Sequence, residues 1–354
     1  MTPENRPTQG SKKSMKDQEF SLIVATLQSQ QDLNADQMRN TIGWLLSGEA
    51  EPERAKQLLE LLADKGECVE ELAGAAQALR DSMKTVESDY PTIVDTCGTG
   101  GDGSKTFNIS TAAAIAVAAT GVPVAKHGNR KVTSSTGSAD VLAELGINLE
   151  AEPSVVSKCF REIGICFCFA PHFHPAMRHV GPIRREIPRP TIFNRLGPLA
   201  NPAAANCQVL GVGAPELQDT MAKALLRLGT KRSLVVRGED GVDEISLSAA
   251  TRILEVTSDQ ITEHQWRPAD FGLETAGRDD LFADDPQSSA NCIREVLAGE
   301  LGPKRDVVVL NAAAALWIAS DAGESLEECA QKVQAAIDDG RAEKVVQDLA
   351  AHTN

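Results

Sequence analysis

The stretch from Thr92 to Thr120, TIVDTCGTGGDGSKTFNISTAAAIAVAAT, constrains the fold more than any other part of the chain. TIVDTC is short and β-branched, the composition of a buried strand. ISTAAAIAVAAT is an alanine-rich helix whose start is marked by Asn108, Ser110 or Thr111 and whose end is marked by Gly121. Between them Gly98, Gly100, Gly101 and Gly103 put four glycines into six residues. Without Cβ atoms, backbone N–H groups approach an anion closely, and the following helix start adds partial positive charge. The loop lacks the Gly-Lys-Ser/Thr of a Walker motif, and its third glycine is misplaced for a dinucleotide fingerprint. It reads as a phosphate cradle at a strand exit, where open α/β sheets bind ligands.

The units that follow keep this grammar. VPVAKH returns as a parallel strand and leads into KHGNRKVTSSTGSADVLAELG, where Lys126 offers a charge. The hydroxyls of Thr133, Ser134, Ser135, Thr136 and Ser138 there suit a second phosphate or a ribose, and Ser138 to Gly146 reads as a helix. CQVLGVG and RSLVVRG read as strands flanking the helix PELQDTMAKALLRLG; DVVVLNAAAALWIA and ESLEECAQKVQAAIDDG close the chain as helices. Residues 249 to 302 carry no clear pattern. Strands alternating with helices predict an α/β fold with a mostly parallel central sheet covered on its faces.

From Asp17 to about Lys84 the pattern is different: short amphipathic helices, with Asn34 and Glu53 near helix starts and Gly48 and Gly66 at stops. The expected organisation is a disordered extension over 1–16, a helical domain over 17–89 and an α/β domain over 90–354. The apolar stripes of the helical part exceed what so small a unit buries alone, which predicts a dimer contact, joined by helices from about 150–200.

The chain of 354 residues is 42% hydrophobic and 24% charged, the balance of a soluble globular protein. No apolar run is long enough to cross a bilayer, and the polar N-terminus lacks the apolar centre of a secretory signal, so a cytoplasmic location is expected. A net charge of −15 disfavours nucleic acid as a partner. An anionic ligand must therefore meet a local basic pocket, and Lys105, Lys126, Arg130, Lys131, Arg178, Arg184 and Arg185 supply one. The eight cysteines form no regular framework and read as reduced and mostly buried, with Cys166 and Cys168 placed on alternate faces of the strand-like ICFCFA. His172, His174 and His179 lack a nearby cysteine or carboxylate to complete a zinc tetrahedron.

In this order and spacing, GTGGDGSKTFNIST, KHGNRKVTSSTGSAD, HPAMRHVGPIRRE, TIFNRLGPLANPA and GVDEISL resemble the anthranilate phosphoribosyltransferase family, which carries out the second step of tryptophan synthesis from chorismate. The likeness runs from about Asp17 to His352. It implies a homodimer that binds 5-phosphoribosyl 1-pyrophosphate, Mg²⁺ and anthranilate between a helical and an α/β domain. By the same resemblance the phosphoribosyl donor meets Gly98, Gly101, Asp102, Thr106, Asn108, Ile109, Ser110, Thr111, the run Lys126, His127, Gly128, Asn129, Arg130, Lys131, Val132, Thr133 and Ser134, and Ser138. Gly98, Asn129, His174 and Arg184 match anthranilate positions; Ser110, Asp243 and Glu244 match magnesium positions. His127 is either a donor to substrate or a support behind one.

Elementary chemistry agrees with these placements. Mg²⁺ keeps several waters and borrows substrate phosphates, so one hydroxyl and two carboxylates suffice. Neighbouring Asp243 and Glu244 would face opposite ways on a strand, and a shared metal requires the bend that GEDGVDE allows; a solvated acidic loop is the plainer alternative. Arg184 suits a planar carboxylate, while Arg185 is equally a surface cation. Thr133 and Thr136 stand where the family more usually has serine, and Pro190 replaces the arginine often found before TIFN, with Arg189 one position earlier. Two other readings are a pyrimidine nucleoside phosphorylase of the same architecture and a catalytically silent nucleic-acid-binding relative. The wording of the glycine loop and the Asp243–Glu244 pair disfavour the first, the acidic charge the second.

Overall fold

The computed structural model describes residues 15–131, 136–320 and 323–354. Four helices come first: α1 (Asp17–Gln28), α2 (Ala35–Ser47), α3 (Pro52–Lys65) and α4 (Val69–Ser82). Asn34 caps α2 through a reciprocal pair, Gln37 N–H to Asn34 Oδ1 at 2.9 Å and Asn34 N–H to Gln37 Oε1 at 3.0 Å. Gly48 ends that helix with φ at +79°. Most of the extension expected over 1–16 lies outside the described residues, but Met15 packs on the helical core and Lys16 is the N-cap of α1.

A single sheet then organises the chain. Its strands are β1 (Val94–Gly98), β2 (Val124–Gly128), β3 (Ile165–Phe169), β4 (Cys207–Gly211), β5 (Arg232–Gly238), β6 (Thr251–Thr257) and β7 (Ile261–Trp266), in the order β3-β2-β1-β4-β5-β6-β7. The first five run parallel, and β6 and β7 are antiparallel additions at one edge. Between them lie α5 (Ile109–Ala119), α6 (Ser138–Glu144), α7 (Pro153–Ile163), α8 (Ala170–Phe173), α9 (Met177–Glu186), α10 (Phe193–Leu196) and α11 (Pro215–Arg227). The chain ends in α12 (Pro286–Leu297), α13 (Pro303–Ala319), α14 (Leu326–Asp338) and α15 (Arg341–Thr353). The patternless stretch 249–302 thus holds two strands and α12. β7 is an edge strand with a mostly exposed, polar face, which removes the apolar alternation that reveals a strand.

Two expectations need correction. Cys166 and Cys168 share one face of β3 with their sulfurs 4.0 Å apart, because side chains two positions apart on a strand point the same way. Most of the apolar stripes of α1–α4 are covered within the chain, Leu22 of α1 excepted: they join Val180 and Ile183 of α9, Leu196 of α10, Met221 and Leu225 of α11, and Val235 of β5 in one core. Of the helices between 150 and 200, α9 and α10 pack on the helical part, whereas α7 lies on β3 and α15. The opposite face of the sheet is covered by α5 and α13, with α14 packed against both.

One buried charge holds the helical part together. Glu71 is fully buried and accepts hydrogen bonds from Leu33 N–H and Cys68 N–H, both at 2.9 Å, and from Lys65 Nζ at 2.9 Å. Asp32, Cys68 and Glu71 have the spacing of a small metal site, but the Lys65 ammonium, also 2.6 Å from Asp32, already supplies the cation. Glu71→Leu should therefore lower the unfolding free energy by about 3 kcal/mol, since it leaves two buried amides unpaired and removes the buried partner of Lys65. Asp32→Ala, at the exposed partner, should cost about 1 kcal/mol or less. Urea denaturation of both variants checks the order, and equal losses would contradict it.

Candidate active site at the switch point of the sheet

From β1 the chain moves to one side of the sheet and from β4 to the other, so the C-terminal ends of these neighbouring strands open a crevice. Their last paired residues are Gly98 and Gly211. Asp243, on the bend after β5, sits against both. A Cβ on Gly98 would lie 2.6 Å from Asp243 Oδ2, and one on Gly211 would collide with the Asp243 carbonyl. Two glycines therefore make room for one carboxylate.

The glycine loop is tied to that carboxylate and to the far end of the chain. Gly100 N–H donates to Asp243 Oδ2 at 3.1 Å, and Asp243 N–H points at Asp102 Oδ2 at 3.4 Å. Gly100, Gly101 and Gly103 all have positive φ, so the loop's path requires glycine there. Its later half is bracketed by Phe107 N–H to Leu281 O at 2.8 Å and Ala283 N–H to Lys105 O at 3.0 Å. Asn108 is the N-cap of α5, yet its amide donates to Thr136 Oγ1 at 2.5 Å and so spans to the loop after β2. Asp140 on α6 closes that second loop by accepting from Lys131 N–H at 2.9 Å and Gly137 N–H at 3.3 Å.

Lys126 forms the floor. It is 4% exposed, and Nζ donates to Thr96 O at 2.6 Å and reaches Ser110 Oγ at 3.4 Å. An ammonium has three donors, so one remains for a ligand. Burial pulls its pKa down, opposed by buried Asp95; burial likewise pushes Asp95 up, opposed by Lys126. Asn201 Nδ2 holds Asp95 Oδ2 at 2.8 Å. Asp243 and Glu244 lie on bends between β5 and β6, as a shared site demands. Desolvation, followed by the charge of Asp102, raises half-buried Asp243 to about 7; desolvation and Asp243 raise half-buried Glu244 well above the carboxylate range, against Lys126 and a hydrogen bond from the Ser110 backbone. Two crowded carboxylates beside a hydroxyl at a helix start, only partly offset by Lys126, form an all-oxygen donor set that fits Mg²⁺.

These groups line a cleft of about 560 Å³ that includes Gly98, Asp102, Thr106, Asn108, Ile109, Ser110, Lys126, His127, Gly128, Asn129, Arg130, Lys131, Ser138, Asp243 and Glu244. A second cleft of about 590 Å³ shares Gly98, His127, Gly128 and Asn129 with it and continues to His174, Arg178, Arg184, Arg185 and Phe193. Arg184 is half-buried there, its pKa lowered by desolvation; Nη2 donates to Asn194 Oδ1 at 3.3 Å and Nε is enclosed without a partner. Its guanidinium lies 5.5 Å from the Phe193 ring centroid. His127 Nδ1–H donates to Gly197 O at 3.0 Å, which leaves Nε2 to accept from His174 Nε2–H at 3.2 Å. Burial holds both rings uncharged, His127 at about 4 and His174 at about 3, with each pushed further down by a neighbour.

Other expected residues fall elsewhere. Gly101 is exposed on the loop. Thr111 is 1% exposed with its hydroxyl enclosed, because successive side chains of a helix rotate and its own turns into the core. Val132, Thr133 and Ser134 lie outside the described residues. His172 pairs with Glu150 at 2.9 Å and His179 accepts from Arg178 Nε at 3.3 Å, so the three histidines of PHFHPAMRH do not converge. Arg189 reaches Asp64 at 2.6 Å and Glu60 O at 3.0 Å on α3, away from Arg184. Sequence reasoning missed Gly211, Gly213 and Asn194. Asn194 stands in TIFNRLGPLANPA, one of the motifs that carry the resemblance, whereas the two glycines are required by space that a distant loop fills.

Comparison with known proteins gives the family. The glycosyl transferase helical bundle domain matches residues 22–83, and the glycosyl transferase α/β domain matches residues 90–343. The chain is 48% identical over 331 residues to an anthranilate phosphoribosyltransferase of Rhodopirellula baltica, covering 94% of this chain and 96% of that one. It is 48% identical over 324 residues to that of Syntrophobacter fumaroxidans, covering 92% and 96%. Among solved structures, the anthranilate phosphoribosyltransferase of Thermus thermophilus superposes with a TM-score of 0.87 at 40% identity, over 94% of this chain and 99% of that one. The Saccharomyces cerevisiae enzyme in complex with PRPP and Mg superposes with a TM-score of 0.87 at 28% identity, over 96% and 98%. With both domains matched and nearly the whole length shared, the chain belongs to the anthranilate phosphoribosyltransferase family.

Proposed function

We propose that the two clefts hold the two substrates of one transfer, in which the amine of anthranilate takes the phosphoribosyl group of 5-phosphoribosyl 1-pyrophosphate and releases pyrophosphate. The observation that carries this reading is the shared wall of Gly98, His127, Gly128 and Asn129, which brings a phosphate cradle and an arginine-bearing cleft to one point. In the reaction the bond from the anomeric carbon to pyrophosphate breaks with its electron pair on the departing oxygen, the amine lone pair forms the new C–N bond, and the nitrogen then releases one proton to solvent. Positive charge grows on the sugar and negative charge on the leaving group, so electrostatics and alignment carry the rate.

Each side chain has a part. Amides of the glycine loop and Lys126 receive the phosphates, with Asn108, Ser138 and the loop Lys126–Lys131 around the donor. Ser110, Asp243 and Glu244 would hold Mg²⁺, which when bound neutralises charge on the pyrophosphate. Arg184 would grip the anthranilate carboxylate through the donors that Asn194 leaves free, with Asn129 beside it. Neutral His127 and His174 give that cleft a wall that neither repels nor captures the amine as a charge. An aromatic amine is already unprotonated at pH 7 and attacks without prior activation.

The same reading divides the chain at about residue 89, places it in the cytoplasm and makes it a homodimer joined through the helical part. There Leu22 of α1 stands 62% exposed beside half-buried Phe20 and Val24. Among the described residues no helix is long and apolar enough to cross a membrane. The pyrimidine nucleoside phosphorylase alternative is not favoured, because the relatives matched over nearly the whole chain are anthranilate phosphoribosyltransferases.

Purified protein with anthranilate, 5-phosphoribosyl 1-pyrophosphate and Mg²⁺ should consume anthranilate fluorescence, lose that activity in EDTA and regain it with added Mg²⁺. Undiminished turnover in metal-free buffer would remove the metal from the scheme. Arg184→Ala should raise the anthranilate KM roughly tenfold to a hundredfold, for about 1.5–3 kcal/mol of lost charge-assisted bonding, with little change in the KM for the phosphoribosyl donor. Arg184→Lys should recover part of the loss. An anthranilate KM that stays at the wild-type value in Arg184→Ala rejects the carboxylate assignment.

A further inference from the structure

α13 is almost entirely apolar over Val307–Ala315, with one interruption at Asn311. That side chain is 2% exposed, and no part of it faces either cleft. Burying an amide in such a helix is unfavourable unless its donors and acceptor are met. Here they are met by Ile245 of the carboxylate bend and by Val307 one turn back on the helix. Ile245 N–H donates to Asn311 Oδ1 at 2.9 Å, and Asn311 Nδ2 donates back to Ile245 O at 3.0 Å and to Val307 O at 2.9 Å.

Ile245 directly follows Glu244, on the segment that has left β5 and not yet entered β6, so its backbone has no ladder partner. Asn311 takes the place of the missing strand, gripping both the N–H and the C=O. The same helix packs along α5, where Ala312–Ala315 and Ala112–Ala114 belong to one buried core and their small side chains allow close approach. The start of α5 carries Ser110, whose carbonyl accepts from Thr96 Oγ1 at 2.7 Å. One helix thus references both sides of the oxygen cluster: Ser110 through packing and Glu244 through a paired amide.

We infer that Asn311 is a positioning residue that sets the separation of Glu244 and Asp243 from Ser110, and so tunes affinity for a divalent cation without touching it. This rests on the assignment of those three residues to Mg²⁺. Groups that orient metal ligands typically change affinity by about 10–100-fold when removed. A residue that merely fills the core would change stability alone.

The test titrates Mn²⁺, a spectroscopic stand-in for Mg²⁺, into the full chain and follows free ion by electron paramagnetic resonance, with urea denaturation alongside. The Asp243→Asn/Glu244→Gln double variant identifies the signal that belongs to the cluster. Asn311→Leu, nearly isosteric, should weaken that Mn²⁺ site by roughly tenfold to a hundredfold. Gln218→Met is the control: a buried amide on α11 that donates to Val235 O at 3.0 Å and Arg252 O at 2.9 Å on another part of the sheet. It should lower the urea midpoint and leave Mn²⁺ affinity at the wild-type value. If Asn311→Leu does not fold, Asn311→Asp, which keeps the acceptor and loses the donor, is read in the same way. Wild-type Mn²⁺ affinity in the folded Asn311 variant, or an equal loss in Gln218→Met, overturns the inference. Wild-type protein that binds Mn²⁺ at the cluster but transfers no phosphoribosyl group would sink the proposed reaction and leave this role standing. Transfer with unaltered Mn²⁺ binding in the Asn311 variant would sink this role alone.

Discussion

The apposition of Gly98, Gly211 and Asp243 is the constraint on which the rest of the site depends. At the switch point of the sheet two parallel strands end in residues without side chains, and the bend after β5 fills the space with a carboxylate. That contact brings together parts of the chain more than a hundred residues apart. Gly100 N–H on Asp243 Oδ2 then sets the glycine loop, the 281–283 segment sets its far half, and Asn108 carries the alignment to the loop after β2. Each link is an ordinary hydrogen bond; their joint effect is a pre-formed cradle whose ordering cost is met on folding rather than on binding.

Charge is arranged in opposition to the whole. The protein carries −15, yet Lys126 lies on the floor of the first cleft and Arg184 in the second, with Lys105, Arg130, Lys131, Arg178 and Arg185 along the linings. Local cations in low-dielectric walls act on an anion at short range, where a distant acidic surface is largely screened. Opposite them, half-buried Asp243 and Glu244 resist ionisation because they are desolvated side by side with Asp102 nearby. The site therefore pairs an excess of positive charge for phosphate with a deficit at the carboxylates for a cation, and a phosphorylated donor bound with a divalent ion satisfies both.

Local signals made much of this legible. The glycine run between TIVDTC and ISTAAAIAVAAT announced a strand, a cradle and a helix, and each stands where expected as β1, its exit loop and α5. Asn34 and Gly48 marked real helix ends. What stayed hidden depends on tertiary space. Gly98 and Gly211 lack positive φ and so carry no turn signature; their need for glycine comes from Asp243. Asn311 reads as an odd polar residue in an apolar helix until Ile245 is placed against it. Thr111 matched a donor position by resemblance, yet one residue beyond Ser110 on the helix is enough to turn its hydroxyl from cleft to core. The polar edge strand β7 lacked alternation because water, not a core, covers most of it.

The central claim is that the glycine pair at the switch point lets Asp243 assemble the donor site. Isothermal titration of 5-phosphoribosyl 1-pyrophosphate with Mg²⁺ into wild-type protein and Gly211→Ala tests it directly. The added methyl group overpacks against the Asp243 carbonyl at a cost of about 1–3 kcal/mol, displacing the bend while the sheet, held by its remaining ladder, persists. The account predicts a folded variant whose affinity for the phosphoribosyl donor has fallen by about tenfold or more. A folded Gly211→Ala protein that binds the donor as tightly as wild type would contradict it.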